Sequence, residues 1–436
     1  MAAVYSSVAT CGNILKKYYE KDLEYINAEE EMPLLKEIDG GVRPLDAKGK
    51  AWVIDTEGPF GGGVGAYTET GDLPNPHAQD SVQAELGVKK LAVAFSITEE
   101  LLEAAQNKDR TFINGLDKVM KEARTKLNRL MWFNAHSDGT CCLGKILTVT
   151  DVTPSVITLD TTANDAPTLA LYGNIGDEIE AFNDKAGNTA TIRTAVPKIA
   201  AIASNFATMT MDMNCVGALA QKYAVGDFIF LKGSRCPTNP GTATFYVPNG
   251  WNNMVDTSAV HLYDPSSISP DTRWWKPKYF ATGVTVTEDH IFRMLNMMRF
   301  RNGNHRPTHC MLSPVYEQDI IKCYQGRQSE EYKGGVVTPG HEGLAALHTQ
   351  GGRQVKWLFD DYQHPGRLDF FDVKVFRRLW LKKPSMLDKG LPLSAMRVAN
   401  KAYWVGYITT MFNLACRMRP ATGYIPDAAY TSNLWA

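Results

Sequence analysis

The chain has 436 residues, with 46 Lys and Arg against 47 Asp and Glu and a formal net charge of −1. Hydrophobic residues make up 44% and charged residues 21%, which excludes a wholly disordered or fibrous protein and leaves room for two or three domains at about 150 residues each. Near-zero net charge also argues against a protein that grips nucleic acid across a wide basic face.

The N-terminus, Met1-Ala2-Ala3-Val4-Tyr5, places no positive charge ahead of an apolar run, so no secretory signal is read and synthesis in the cytoplasm is expected. Residues 12 to 28 set Leu15, Tyr18, Tyr19 and Ile26 at helical spacing, an amphipathic helix too short to bury its own stripe. Pro33 to Lys50 reads as an extended arm, because Gly40-Gly41 and Pro44 interrupt regular structure. Up to Lys50 this arm carries seven basic and nine acidic residues, so a partner other than nucleic acid is expected.

Lys50 to Ile54 is predicted as a strand, with Val88 to Ile97 as its partner. The long tip between them contains Gly58-Pro59-Phe60-Gly61-Gly62-Gly63-Val64-Gly65 and Thr70-Gly71-Asp72-Leu73-Pro74-Asn75-Pro76. A loop this long with little to pack signals a function or an ordering partner, and a projecting hairpin is predicted. Ser96-Ile97-Thr98-Glu99 has capping-box spacing for a short helix through Leu101, Leu102 and Ala105. From Asp109 to His136, Phe112, Leu116, Val119, Met120, Ala123, Leu127, Leu130 and Met131 recur at three- and four-residue steps against a charged opposite side. That pattern predicts a helix of about 25 residues and about 40 Å, with Gly115 as its weak point.

Residues 145 to 235 change character. Short runs at Ile146–Val149, Val156–Leu159, Thr189–Arg193, Thr208–Met211 and Phe228–Leu231 predict a small all-β module. It starts just after Asp138-Gly139 and ends at Gly233-Ser234, as an insertion would. Its longest uncharged stretch, Ile199 to Met211, is far short of a membrane span, so no membrane partner is expected. Beyond 236 the pattern is mixed: a helix over Thr285–Arg301 with Ile291, Met294, Leu295 and Met298 on one face, a strand at His309–Leu312, and a helix opening at Pro314. A Gly-rich, loop-like stretch from 325 to 352 follows, then strands at Val355–Phe359, Phe370–Phe376, Ala402–Thr409 and Leu414–Met418.

Chemistry-bearing motifs are weak. The eight cysteines include no C-x-x-C pair and sit mostly in apolar settings, so reduced, buried thiols are expected. Gly139-Thr140-Cys141-Cys142-Leu143-Gly144-Lys145-Ile146 has phosphate-loop spacing, but Ile146 stands where a magnesium-binding hydroxyl belongs, and the motif follows a helix and opens strands. The Phe60–Gly65 run fails the dinucleotide fingerprint at Thr68. His305, His309, Cys310 and Cys323 could be proposed as a zinc site, but Pro307 forbids the helix that would align the histidines. No G-x-S-x-G or H-E-x-x-H occurs, and the pairs Asp360-Asp361 and Asp55/Glu57 read as solvated carboxylates. Trp274-Trp275 and Tyr403-Trp404 read as core or interface packing. No catalytic residue, cofactor or metal is expected.

The order of parts is itself a pattern. Glu57 to Gln83 as an extended loop, Leu91 to Glu103 beside it, Asp109 to His136 as a spine helix, Val286 to Pro314 as helix, strand and helix, and Tyr403 to Pro420 as closing strands resemble the major capsid proteins of tailed bacteriophages, whose fold is shared with encapsulins and herpesvirus capsid floor domains. The resemblance implies an α+β fold divided as arm (1–49), extended hairpin loop (50–97), peripheral domain with spine helix (98–144), inserted β domain (145–235), axial domain (236–375) and a return to the peripheral domain (376–436). It implies a structural subunit that self-assembles into hexamers and pentamers of an icosahedral shell, first as a precursor that expands. Double-stranded DNA would be enclosed without specific binding, in a virion assembled in the host cytoplasm. Portal and scaffolding proteins, and a cement or decoration protein, are the other partners implied.

The physics of exposed apolar groups agrees with this expectation. Leu15, Tyr18, Trp52, Phe60, Val64 and Tyr67 have no local core and are candidates for contacts between subunits. No lysine lies between Lys50 and Lys89, so a loop isopeptide bond of the kind some relatives make is not expected. An encapsulin-like compartment, or a nucleotide-dependent cytosolic enzyme using Lys145, are the alternatives.

Overall fold

The computed structural model describes residues 32–41, 45–46, 51–57, 65–67, 71–74, 81–100, 115–160, 173–185, 193, 195–203, 208–216, 223–234, 247–255, 276–280, 286–299, 306–313, 317, 346–348, 354–363, 367–386 and 402–426. The first of them form a helix, α1 (Pro33–Gly41), where an extended arm was expected. Proline is tolerated at the first helical position because its missing N–H has no partner there. Leu34, Leu35 and Ile38 make a buried stripe, and Gly40-Gly41 end the helix rather than preventing it.

Strands β1 (Leu45–Asp46), β2 (Ala51–Glu57), β3 (Ser81–Gly87) and β4 (Lys89–Thr98) follow. β2 pairs with β3 in a two-stranded hairpin, from Ala51↔Gly87 to Glu57↔Ser81, and not with Val88–Ile97 as expected. The alternating set Val82, Ala84 and Leu86 lies opposite Thr56, Ile54 and Trp52, so the apolar members of both strands share one face. β4 turns instead to a four-stranded sheet ordered β1-β16-β17-β4, with β16 (Phe376–Met386) and β17 (Tyr403–Cys416). β17 is one 14-residue strand where two were expected, because its ladders to β4 and β16 run on through Thr410–Asn413. Ser96 lies inside β4, so the capping box does not act there. The helix expected through Ala105 falls outside the described residues.

Helix α2 (Gly115–His136, 22 residues, about 33 Å at 1.5 Å per residue) crosses one face of this sheet. Val119, Ala123, Leu127 and Met131 are buried as the periodicity predicts, the last three in one cluster with Leu91, Trp380, Ile408 and Phe412 of the sheet. Lys121, Glu122 and Arg124 are exposed. The last turn, Trp132 to His136, is buried on all sides, so α2 ends inside the protein. Gly406 is required opposite Phe95, where a methyl group would overlap the ring.

Six antiparallel strands occupy the next stretch: β5 (Cys142–Val149), β6 (Val156–Leu159), β7 (Ile179–Phe182), β8 (Ile199–Ile202), β9 (Thr208–Met211) and β10 (Phe228–Leu231), in the order β7-β10-β5-β6-β9-β8. The outer strands meet through the Glu178↔Lys198 bridge and through Ile179 N donating to Pro197 O (3.1 Å), which closes the sheet into a barrel. Its filling, including Leu143, Ile157, Ile179, Met209 and Ile229, continues without a break into Ala123, Leu127 and Met131 of α2. β7 and β8 were not expected, and of the expected run Thr189–Arg193 only Arg193 is described; its guanidinium donates twice to Asp227, each at 2.8 Å.

The remaining elements are α3 (Trp251–Val255), β11 (Lys278–Tyr279), α4 (Glu288–Arg299), β12 (His309–Leu312), β13 (Ala346–His348), β14 (Gln354–Phe359), β15 (Arg367–Phe371) and β18 (Thr422–Pro426). They form a mixed six-stranded sheet, β11-β18-β15-β12-β14-β13, so the loop-like stretch before Gly351 contains an edge strand. α4 buries Ile291, Met294, Leu295 and Met298 against it, worth about 1.5–3 kcal/mol each. The strand expected over Phe370–Phe376 is broken by a 3-10 turn, Val373–Val375, whose cap Asp372 accepts from Lys374 N. That turn passes the chain from one sheet to the other. Arg419, fully buried, donates to Met254 O (3.0 Å) and ties the return segment to α3. Among the described residues no helix is long and apolar enough to cross a membrane.

Candidate functional site

The sequence offers no catalytic constellation, so the places where the fold concentrates charge or leaves apolar groups uncovered are the candidates. The first is the seat of α1. Asp360, read from sequence as solvated, is 1% exposed. It sits just after β14 and its Oδ2 accepts from Leu34 N in the first turn of α1 (3.2 Å), capping a helix 326 residues away in sequence. Its Oδ1 accepts from Trp132 Nε1 (2.9 Å) and Tyr362 N (3.0 Å), and His136 Nε2 of α2 lies 3.0 Å from Oδ2. One buried carboxylate therefore joins α1, α2 and the edge of the mixed sheet, its charge met from several sides.

Charge pairs hold the rest of α1. Glu37 meets Lys356 of β14 and lies 3.3 Å from His309 Nε2 of β12. Asp39 meets Arg378 of β16, whose guanidinium lies 4.5 Å from the Trp380 ring centre. Burial pulls Arg378 down to about 10. Burial raises the Glu37 carboxyl, but the hydrogen bond and charge of Lys356, with His309, more than offset it, and the net shift is downward. Burial also lowers His309, only partly countered by Glu37. A second buried carboxylate, Asp369, accepts at Oδ2 from Trp251 Nε1 (2.6 Å), Gln363 Nε2 (2.6 Å) and Arg367 Nη2 (2.7 Å). Asn413 of β17 donates to Gly87 O (2.6 Å), which fixes the base of the hairpin.

The second candidate is the hairpin tip. Tyr67 is 65% exposed and Leu73, a residue not singled out from sequence, is 69% exposed. Of the other predicted contact residues, Trp52 stands on β2 opposite Leu86. Leu15, Tyr18, Phe60 and Val64 lie outside the described residues. The third is the face of the β4-β17-β16 sheet turned away from α2, where Ala92, Ala94, Leu381 and Tyr407 are exposed.

The remaining motifs fall in structural positions. Gly139 (φ 80°) turns the chain from α2 into β5. Lys145 pairs with Phe228 across strands, its ammonium 5.7 Å from that ring's centre. His309 faces Glu37, while Cys310 beside it is buried in the core of the mixed sheet; His305 and Cys323 lie outside the described residues. Burial, with the charges of Asp138 and Cys142, pushes the Cys141 thiol up, burial with Asp369 does so for Cys310, and burial pushes Cys416 up to about 12. These are protonated, unreactive thiols at neutral pH.

No family model matches the sequence, and no curated protein matches it. Among solved structures it is similar to the capsid asymmetric unit of cyanophage A-1(L), with a TM-score of 0.51 and 12% identity over 95% of this chain and 98% of that one. It is also similar to the capsid of a native GTA particle (TM-score 0.48, 9% identity, 98% of this chain and 100% of that one). A third is the holo-SrpI encapsulin of Synechococcus elongatus PCC 7942 (0.41, 8%, 98% and 98%). The fold is therefore the α+β fold of tailed-phage capsid proteins.

Proposed function

We propose that the chain is a structural subunit of a phage capsid shell, assembling into hexamers and pentamers through its arm and its projecting hairpin. The observation that carries this reading is the hairpin tip, where Tyr67 and Leu73 stand exposed on an extension whose base is held by Asn413. On a lone molecule such groups are a liability, and copies of the same chain are the natural cover. The capsid fold over 95% of the chain supports it. The shell would enclose double-stranded DNA without a specific binding site, and portal, scaffolding and cement proteins would be its other partners. The division into arm, hairpin loop, peripheral, inserted and axial parts belongs to the same proposal, as do Leu15, Tyr18, Trp52, Phe60, Val64 and Tyr67 as contact residues.

The test is assembly of the expressed full-length chain, alone and with a co-expressed scaffolding protein, followed by light scattering and negative-stain microscopy. Closed shells are expected, and a compact single molecule at every concentration would overturn the proposal. Because residues 51–88 contain no lysine, the subunits are expected to separate fully when shells are boiled in detergent. A surviving ladder of multimers would refute non-covalent contact.

A further inference from the structure

We infer that the β barrel is one three-stranded unit present twice in tandem, β5-β6-β7 and then β8-β9-β10, joined about a pseudo-twofold axis. In this repeat Lys145 is a seam residue and not a nucleotide ligand. This holds whether or not the chain forms shells. Three short signatures recur in the same order in both units. Lys145-Ile146, Thr158-Leu159-Asp160 and Gly176-Asp177-Glu178-Ile179 in the first answer to Lys198-Ile199, Thr210-Met211-Asp212 and Gly226-Asp227-Phe228-Ile229 in the second. Matches this short recur by chance; the shared hydrogen bonds and register do not.

Each unit contains the same turn. Gly176 and Gly226 take φ of 92° and 91°, in the left-handed region that glycine enters without a steric clash. Asp177 N donates to Asn174 O (3.2 Å) and Asp227 N to Ala224 O (3.1 Å), while the two carboxylates accept from Asn174 N (3.1 Å) and Ala224 N (2.8 Å). Gly176 N donates to Ile199 O (2.8 Å) as Gly226 N donates to Ile146 O (2.9 Å), so the turn of each unit closes on the first strand of the other. Register obeys the same axis. Ile146 pairs with Leu159 and Ile199 with Met211. Asp160 N donates to Lys145 O (2.8 Å) and Asp212 N to Lys198 O (3.0 Å). Between the units, Val156↔Thr210 and Thr158↔Thr208 exchange about the central pair Ile157↔Met209, and Ile179↔Leu231 and Ala181↔Ile229 exchange about Glu180↔Phe230.

The equivalence gives Lys145 its role. Its twin Lys198 joins β8 to the start of β7 by an ion pair with Glu178 (3.6 Å). Phe228 stands where Glu178 stands, and the Lys145 ammonium lies 5.7 Å from that ring's centre. The same seam position is therefore held by a cation–π contact in place of a salt bridge. The spacing that imitates a phosphate loop is the start of a repeated strand. The two units differ where the module meets the rest of the chain. At the first turn Arg129 of α2 donates to Asn174 Oδ1 (3.2 Å). At the second the twin is Ala224, which has no side-chain acceptor, and Asp227 is met by Arg193 of the module itself (2.8 Å). The first turn thus attaches the module to α2.

The test uses the full-length chain, with urea unfolding of the module read by amide exchange in its strands. Gly176→Ala and Gly226→Ala each place the new methyl in open space, so both report backbone conformation alone. They are expected to lower the module's urea midpoint by equal amounts, and shifts differing by more than about twofold overturn the twin assignment. Phe228→Glu gives the second seam the carboxylate of the first. In that background Lys145→Met is expected to lower the midpoint further than it does in the unmodified chain, and high salt to abolish the difference; no difference at low salt overturns the seam role. Should Phe228→Glu not fold, Glu178→Phe on the other seam decides. There the loss caused by Lys198→Met is expected to shrink and to become insensitive to salt, and an unchanged, salt-sensitive loss overturns the seam role. Last, magnesium and ATP are added to the unmodified chain and its thermal unfolding is recorded. No shift is expected, and a shift that Lys145→Met abolishes would return this lysine to nucleotide binding and overturn the inference.

Discussion

Two neighbouring N-terminal segments meet opposite fates. α1 has found its partner within the chain: its apolar stripe is buried, its N-terminus is capped by Asp360, and Glu37 and Asp39 meet cations on two different sheets. The hairpin that begins ten residues after α1 carries one sign of charge and ends in exposed Tyr67 and Leu73. Both are short elements that cannot stand alone. What separates them, on the shell proposal, is whether the complementary surface lies in the same molecule or in another.

The comparison can be broken most severely at Asp360. Asp360→Ala would leave the Trp132, Leu34 and Tyr362 donors unmatched in the interior, and a loss of about 3–5 kcal/mol is expected in urea unfolding. Leu34→Ala should cost about 2–4 kcal/mol, with lost amide-exchange protection concentrated in α1. Acidification is expected to act more gently and on the same helix. Glu37 is held below its usual range, so its contribution is complete above the unfolded carboxyl value and fades as pH falls through the lower folded one. His309 is also lowered, so the unfolded chain takes up its proton first, and stability falls below about pH 6.5. Both signs agree: exchange protection of residues 34–41 should decline from about pH 6.5 to 4, and Lys356→Met should weaken the Glu37 part of that dependence. At the other extreme, Tyr67→Ser with Leu73→Ser should leave subunit stability within about 0.5 kcal/mol while assembly falls, separating the uncovered segment from the docked one.

Regular periodicity made α4 and most of α2 legible, since each packs one face on a continuous surface, whereas β12 was legible as a short apolar run buried on both faces. The pairing of β2 was misread because Gly87 and Val88 hide a boundary between two strands that go to different sheets. β7 was missed because Glu180 interrupts its apolar run, and it is a strand only through its ladder to β10. Asp360 was misread for a different reason. A carboxylate pair in sequence looks solvated, and the donors that make this one a hub come from Leu34 and Trp132, hundreds of residues upstream.

The closed barrel has a consequence for any particle in which this subunit recurs many times. A sheet with a bare margin would offer every copy the same unpaired backbone groups, and repetition would turn a weak stickiness into gelation or fibres. By pairing its first margin with its last at Glu178 and Lys198, the module closes that margin among the described residues. On the shell proposal, that closure removes one route by which repeated copies would stick to one another.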